Sequence, residues 1–216
     1  MNKKMLFLSV IIVLIFTFLT ALAVFKGEEV PAQAVSTENQ HALERKNAPI
    51  KGYKKAKVTI VEFFDPACGT CSQFYPFVND LVKKYPGKVR VMMRYAPLHE
   101  GSGDVVKMLE AAHMQGQFWP AVELLFGNQN RWVEHHVSNQ QHALAGLKTL
   151  ELDHAKLEAD YQSAKVARII EQDIKDGQTL QIKATPEFFV NGKPLVSFGY
   201  EQLEKLVDEA VAEAYK

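Results

Sequence analysis

The sequence predicts an α/β domain with a central mixed sheet, a helical insertion and a separate apolar segment at its N-terminus. Four observations carry the domain. Val58–Phe64 is a run of β-branched and aromatic residues stopped by Asp65-Pro66. Cys68 then opens a segment with Phe74, Phe77, Val78, Leu81 and Val82 at helical spacing. Lys88–Tyr95 alternates as a strand after Pro86-Gly87, so strand, helix and strand make a right-handed βαβ unit with parallel strands. Helical periodicity then holds from Pro97 to about Gly177, ahead of a last strand region that turns on Asn191-Gly192.

Composition fits one packed domain with additions: 216 residues, 47% hydrophobic and 23% charged. The 25 basic and 25 acidic residues cancel, and no basic cluster stands out, which argues against nucleic acid as a partner.

Taken in order, residues 5–25 carry no charge and follow Lys3 and Lys4. As a helix they would be about 31 Å long, enough to cross a bilayer with the remainder of the chain outside the cytoplasm. Ala21-Leu22-Ala23 is an A-x-A pattern at which a signal peptide would be cut. Val24 and Phe25 continue the apolar run past it, which favours an uncleaved anchor. Residues 26–48 are polar and read as a tether, partly helical around Glu38–Lys46. The domain itself is expected over 49–216, beginning with a short edge strand at 49–53.

Pro76 falls inside the helix expected at 68–85 and should kink it. The insertion, about 98–178, divides into Asp104–Gln115, Phe118–Phe126, Asn139–Leu150 and Asp153–Ile174, with a break near Ser163. Glu187–Val190 and Leu195–Phe198 are expected to pair as a hairpin. Tyr200–Tyr215 closes the chain as an amphipathic helix with Leu203, Leu206, Val207 and Val211 inward.

Cys68 and Cys71 are the only two cysteines. Cys68 stands where a strand ends and a helix begins. Unpaired backbone N–H groups and the helix dipole favour a thiolate there, hence a nucleophile and a good leaving group in disulfide exchange. Cys71 is one turn on, within reach of a short disulfide. Cys68 is therefore assigned as the attacking thiol and Cys71 as the resolving thiol. Glu62 is an acid inside the apolar strand. If buried, its pKa should rise and it could accept or relay the proton of Cys71; strand alternation turning it to water is the alternative.

Strand, acid, Cys68-Gly69-Thr70-Cys71 and Pro76 together resemble the thioredoxin superfamily. Ala184-Thr185-Pro186-Glu187-Phe188-Phe189-Val190-Asn191-Gly192 resembles its second signature. The large insertion and Gln115-Gly116-Gln117-Phe118-Trp119, followed by Leu124-Leu125-Phe126, resemble the DsbA-like branch of extracytoplasmic thiol-disulfide oxidoreductases. The resemblance implies a thioredoxin fold of βαβ plus ββα. It also implies a cis-proline at Pro186, preceded by Thr185, whose loop faces the dithiol and offers backbone to a bound peptide.

The implied activity is thiol-disulfide exchange on protein thiols, disulfide formation first, without a cofactor. A membrane redox partner would recycle the dithiol; residues 26–48 lack an apolar heptad pattern, so a monomer is expected. Gly69-Thr70 and Thr185 also resemble reductase and isomerase branches, which keeps reduction or isomerisation fed by a membrane electron donor as the alternative. A copper- or zinc-binding module using the same thiols is the rival of another class; the seven histidines show no telling ligand spacing. His135, His136 and His142 are expected on the surface of the helical insertion. His99 follows the strand ending at Tyr95 and is placed by topology near the dithiol edge, more as a solvated loop residue than a ligand.

Overall fold

The computed structural model describes residues 11–18, Thr20 and 34–216. Residues 11–18 and Thr20 are helical, and the rest of the expected anchor lies outside the described residues. Among the described residues, no helix is long and apolar enough to cross a membrane. The compact unit runs from Ala32 to Lys216.

The chain opens with a short helix α1, Gln40–Leu43, and an edge strand β1, Ile50–Gly52. β2, Val58–Phe64, leads into α2, Gly69–Lys84, and β3, Val89–Tyr95. The insertion contributes α3 (Ser102–His113), α4 (Phe118–Gly127), a small hairpin of β4 (Val133–Glu134) and β5 (Val137–Ser138), α5 (Gln140–Leu147), α6 (His154–Tyr161) and α7 (Ala164–Thr179). β6 (Glu187–Val190), β7 (Lys193–Pro194) and α8 (Tyr200–Ala214) end the fold. The sheet order is β1-β3-β2-β6-β7, with β2 parallel to β3 and the other pairs antiparallel.

β2 is the middle strand, and all seven of its residues are buried. That is why it shows no polar alternation: both faces are covered. Period-two geometry still sorts its side chains. Val58, Ile60 and Phe64 join the main core with Cys71, Phe74, Val78 and Leu203. Val61 and Phe63 join a smaller cluster with Leu43, Ala96 and Phe189. By that alternation Glu62 faces the main core, so the strand's pleat does not turn it to water.

Four expectations change. Residues 34–48 are not a free tether. Val35 N–H donates to the Gly192 carbonyl at 2.8 Å, Ala42 and Leu43 are buried, and buried Arg94 donates to the carbonyls of Ala42 and Leu43 at 2.8 and 2.6 Å. Arg94 also pairs with Asp173 and Asp176, and Arg45 forks onto Asp176 at 2.6 and 2.7 Å. A segment held mainly by its backbone carbonyls looks polar in sequence.

Second, the insertion is not wholly helical. β4 and β5 interrupt it, and Trp132 is buried beside them with its indole N–H on the Leu125 carbonyl. Third, His135 and His136 therefore sit at a hairpin tip rather than on a helix. Fourth, Leu195–Phe198 do not extend the last strand. β7 ends at Pro194, one further bond runs from Leu195 N–H to Phe188, and the chain then turns so that Phe198 and Tyr200 pack on Phe74 at ring separations of 4.8 and 4.2 Å.

Replacing Arg45 with alanine should loosen α1 while leaving the sheet intact. Its side chain is partly exposed, so the expected loss is about 1 kcal/mol. Amide exchange of Ala42 and Leu43 should accelerate well before that of β2.

Candidate active site

The site forms where β2 ends. Cys68 is the N-cap of α2, in an extended conformation, and is nearly buried. Its N–H donates to the Asp65 carbonyl at 3.0 Å, and its carbonyl accepts from Ser72 N–H and from the Gln129 amide. Both cysteines are present as free thiols, and Cys71 is fully buried in the first turn.

The Thr185-Pro186 bond is cis, and it brings the loop before β6 against the dithiol. Sγ of Cys68 lies 3.1 Å from the Thr185 carbonyl, the thiol donating. The structure thus brings Cys68, Cys71, Thr185 and Pro186 into one place at the sheet edge.

The electrostatics of the two sulfurs are opposite. The Cys71 thiol donating to Cys68 sulfur is the largest influence on Cys68. Burial opposes it, while the Thr185 side chain and the backbone N–H groups of Cys71 and Thr70 add to it. Together they bring Cys68 down to about 5. Cys71 moves well above its ordinary value, first because it is buried, then because it donates to Cys68 and faces the charges of Glu62 and Cys68. Alkylation of the reduced protein by iodoacetamide should therefore show one fast cysteine, with a midpoint near 5; a midpoint near the ordinary thiol value would contradict the site's electrostatics.

Glu62 is completely buried, and neither of its carboxyl oxygens has a hydrogen-bond partner. Burial, with a smaller contribution from Cys68, pushes its pKa up to about 8. An unpartnered carboxyl at the centre of a sheet is costly and has no structural employment. Its protonation and that of the dithiol are coupled, since each charge raises the other's pKa.

Sequence reasoning missed Asp65, seen there only as a strand stop. Its buried carboxylate accepts from Ala67 N–H on one oxygen and, on the other, from the N–H groups of Leu98 and His99, from Ser102 and from His99 Nδ1. It fixes the dithiol loop to the loop after β3. Gln129, whose amide donates to the carbonyls of Pro66 and Cys68, was likewise invisible, because a glutamine in a polar stretch carries no signal. A groove of about 450 Å³ lies beside Cys68, with His99, His136 and Lys183 in its walls. Among the described residues, no cluster of three or more histidine, cysteine or acidic side chains is arranged around a common metal position.

A family model described as thioredoxin matches residues 44–209. Over 146 residues the chain is 30% identical to the Na(+)/H(+) antiporter NhaA of Herminiimonas arsenicoxydans, covering 68% of this chain and 22% of that protein. It is 31% identical over 147 residues to Na(+)/H(+) antiporter NhaA 3 of Salinispora tropica, covering 67% and 22%. The chain thus spans under a quarter of the length of these curated relatives.

Among solved structures, a thioredoxin-like oxidoreductase from Silicibacter pomeroyi DSS-3 superposes with a TM-score of 0.69 at 29% identity, covering 82% of this chain and 98% of that one. Oxidised BdbD from Bacillus subtilis superposes with a TM-score of 0.68 at 24% identity, covering 86% and 100%, a likeness of fold.

Proposed function

The chain belongs to the thioredoxin family, and from that premise we propose that it is a thiol-disulfide oxidoreductase that forms disulfides in protein substrates outside the cytoplasm through Cys68 and Cys71. The observation that carries this reading is the placement of Cys68 at the N-terminus of α2, against the cis Thr185-Pro186 loop and one turn from Cys71, an environment that holds its thiol pKa down. A stabilised thiolate favours the reduced form of the pair, which makes the Cys68–Cys71 disulfide a stronger oxidant.

The reaction runs in two displacements. A substrate thiolate attacks Sγ of Cys68. The sulfur–sulfur electron pair passes to Cys71, which takes up a proton, with protonated Glu62 as its proposed source. A second substrate thiolate then attacks the substrate sulfur of the mixed disulfide and expels Cys68 as thiolate. Two substrate thiols have become a disulfide, and the enzyme disulfide has become a thiolate and a thiol. The Thr185-Pro186 loop is proposed to hold the substrate backbone beside Cys68.

Recycling requires a second redox protein that accepts two electrons, and residues 5–25 would keep the domain near a membrane-bound one. Reduction or isomerisation remains the second reading, favoured by Thr185 before Pro186 and by Gly69-Thr70, which place no formal positive charge between the cysteines. Oxidative refolding of a reduced, scrambled-prone protein by the oxidised chain separates them. Disulfide transfer without added oxidant supports the proposal. Activity only with added reductant supports the second reading.

A further inference from the structure

The groove beside Cys68 has a wall that the redox chemistry does not use. β4 and β5 are joined by His135 and His136 alone, and both are left-handed, with φ of 49° and 66°. Two-residue hairpins favour this hand of turn, and Asn-Gly is their usual filling, because a residue with a bulky side chain pays for positive φ. Backbone held this way concentrates at functional sites.

The hairpin tip is held in place. Ser138 N–H donates to the Glu100 carbonyl at 2.9 Å, and Glu100 and Val137 form a bridge. The His136 ring stacks on His99, centroids 5.4 Å apart and planes 23° from parallel. His99 Nδ1 lies 2.9 Å from Asp65 Oδ2. A continuous strut therefore runs from the dithiol loop, through Asp65 and His99, to the hairpin tip.

Lys183 belongs to the groove's other wall, two residues before Thr185. It is exposed, and the half-buried Glu187 is the acid that feels its charge. The groove's lining includes no acidic side chain. The nearby Asp65 carboxylate is buried and already accepts five hydrogen bonds. Glu134 is directed at His135, 4.0 Å away, and is almost fully exposed.

We propose that this groove holds the stretch of substrate chain flanking the reacting cysteine and favours an acidic side chain there. Lys183 supplies the charge, while His136 and His99 supply ring faces and N–H donors. The inference rests on the redox reading above.

The test uses the full chain with its disulfide formed, mixed in single turnover with dithiol peptides that differ only in the residue beside one cysteine: Glu, Gln or Lys. The second-order rate constants should fall in the order Glu, Gln, Lys. The extremes should differ about two- to fivefold, the range of one exposed ion pair, and the difference should shrink in about 0.5 M salt. Lys183→Glu should invert the order. Exchanging His135-His136 for Asn-Gly should raise thermal stability and weaken the preference. Equal rates for the three peptides, or a preference untouched by both variants, would overturn the inference while leaving the redox reading intact. No transfer to any peptide would overturn both.

Discussion

Cys68→Ser is expected to reduce both oxidative refolding and disulfide reduction to the uncatalysed background. Serine keeps the N-cap geometry of α2 but removes the sulfur whose thiolate the site stabilises. Cys71→Ser should behave differently. The Cys68 thiolate remains available to attack a substrate disulfide, but nothing releases the resulting mixed disulfide. That variant should accumulate covalent substrate adducts, visible by mass spectrometry and lost on adding reductant. If Cys71→Ser abolished adduct formation while Cys68→Ser trapped adducts, the two roles would be exchanged. If Cys68→Ser kept both activities, the dithiol would not be the active site.

Glu62→Gln is expected to stabilise the protein and slow the exchange chemistry. The folded state holds a proton on Glu62 up to about 8, whereas a free glutamate side chain loses it near 4.5. Between those values folding binds a proton, so this group lowers stability progressively as pH rises from 4.5 to about 8, and no further beyond. At about 1.4 kcal/mol per unit, the cost at pH 7 is on the order of 3 kcal/mol.

Glutamine has the same shape and does not ionise. Measured in one redox state against wild type, its gain should be near zero at about pH 4, on the order of 3 kcal/mol at about pH 7, and larger at about pH 8. A gain of that size corresponds to a rise in Tm of roughly 6–12 °C for a domain of this size. A pH-independent gain would contradict Glu62 as the buried titrating acid. Slower attack of substrate thiolate on the Cys68–Cys71 disulfide should accompany the gain in stability, because Cys71, leaving as a thiolate, would lose its proposed proton source.

The sheet's middle was legible in the sequence because β2 and β3 are strongly apolar and separated by one helix of sufficient length. The helices of the insertion were legible for the same reason: each carries its own apolar stripe, and Ser163 caps α7 where the break was expected, accepting from Val166 N–H. Cys68, Cys71, Glu62 and Thr185-Pro186 stood out because each is chemically out of place in its surroundings, a pair of thiols at a helix start, an acid in a strand and a proline before one.

What the sequence hid depends on contacts rather than composition. The β4–β5 hairpin carries no Asn-Gly, and its tip is two histidines at positive φ, a conformation uncommon outside glycine. Asp65 shows nothing until the five hydrogen bonds its carboxylate accepts, from four residues, are assembled. The packing of residues 34–48 rests on Arg94 reaching two backbone carbonyls, which no apolar pattern announces.

The reduction potential of the Cys68–Cys71 pair, measured on the full chain against a glutathione buffer, tests the central claim most directly. Holding Cys68 near 5 stabilises the reduced state at about pH 7 by at most roughly 60 mV relative to an unperturbed thiol. A single reversible two-electron titration displaced by tens of millivolts above about −270 mV, toward about −120 mV, is the predicted result, that of a pair that donates its disulfide. A value at about −270 mV would contradict disulfide formation, and the absence of any two-electron titration would contradict the redox pair itself.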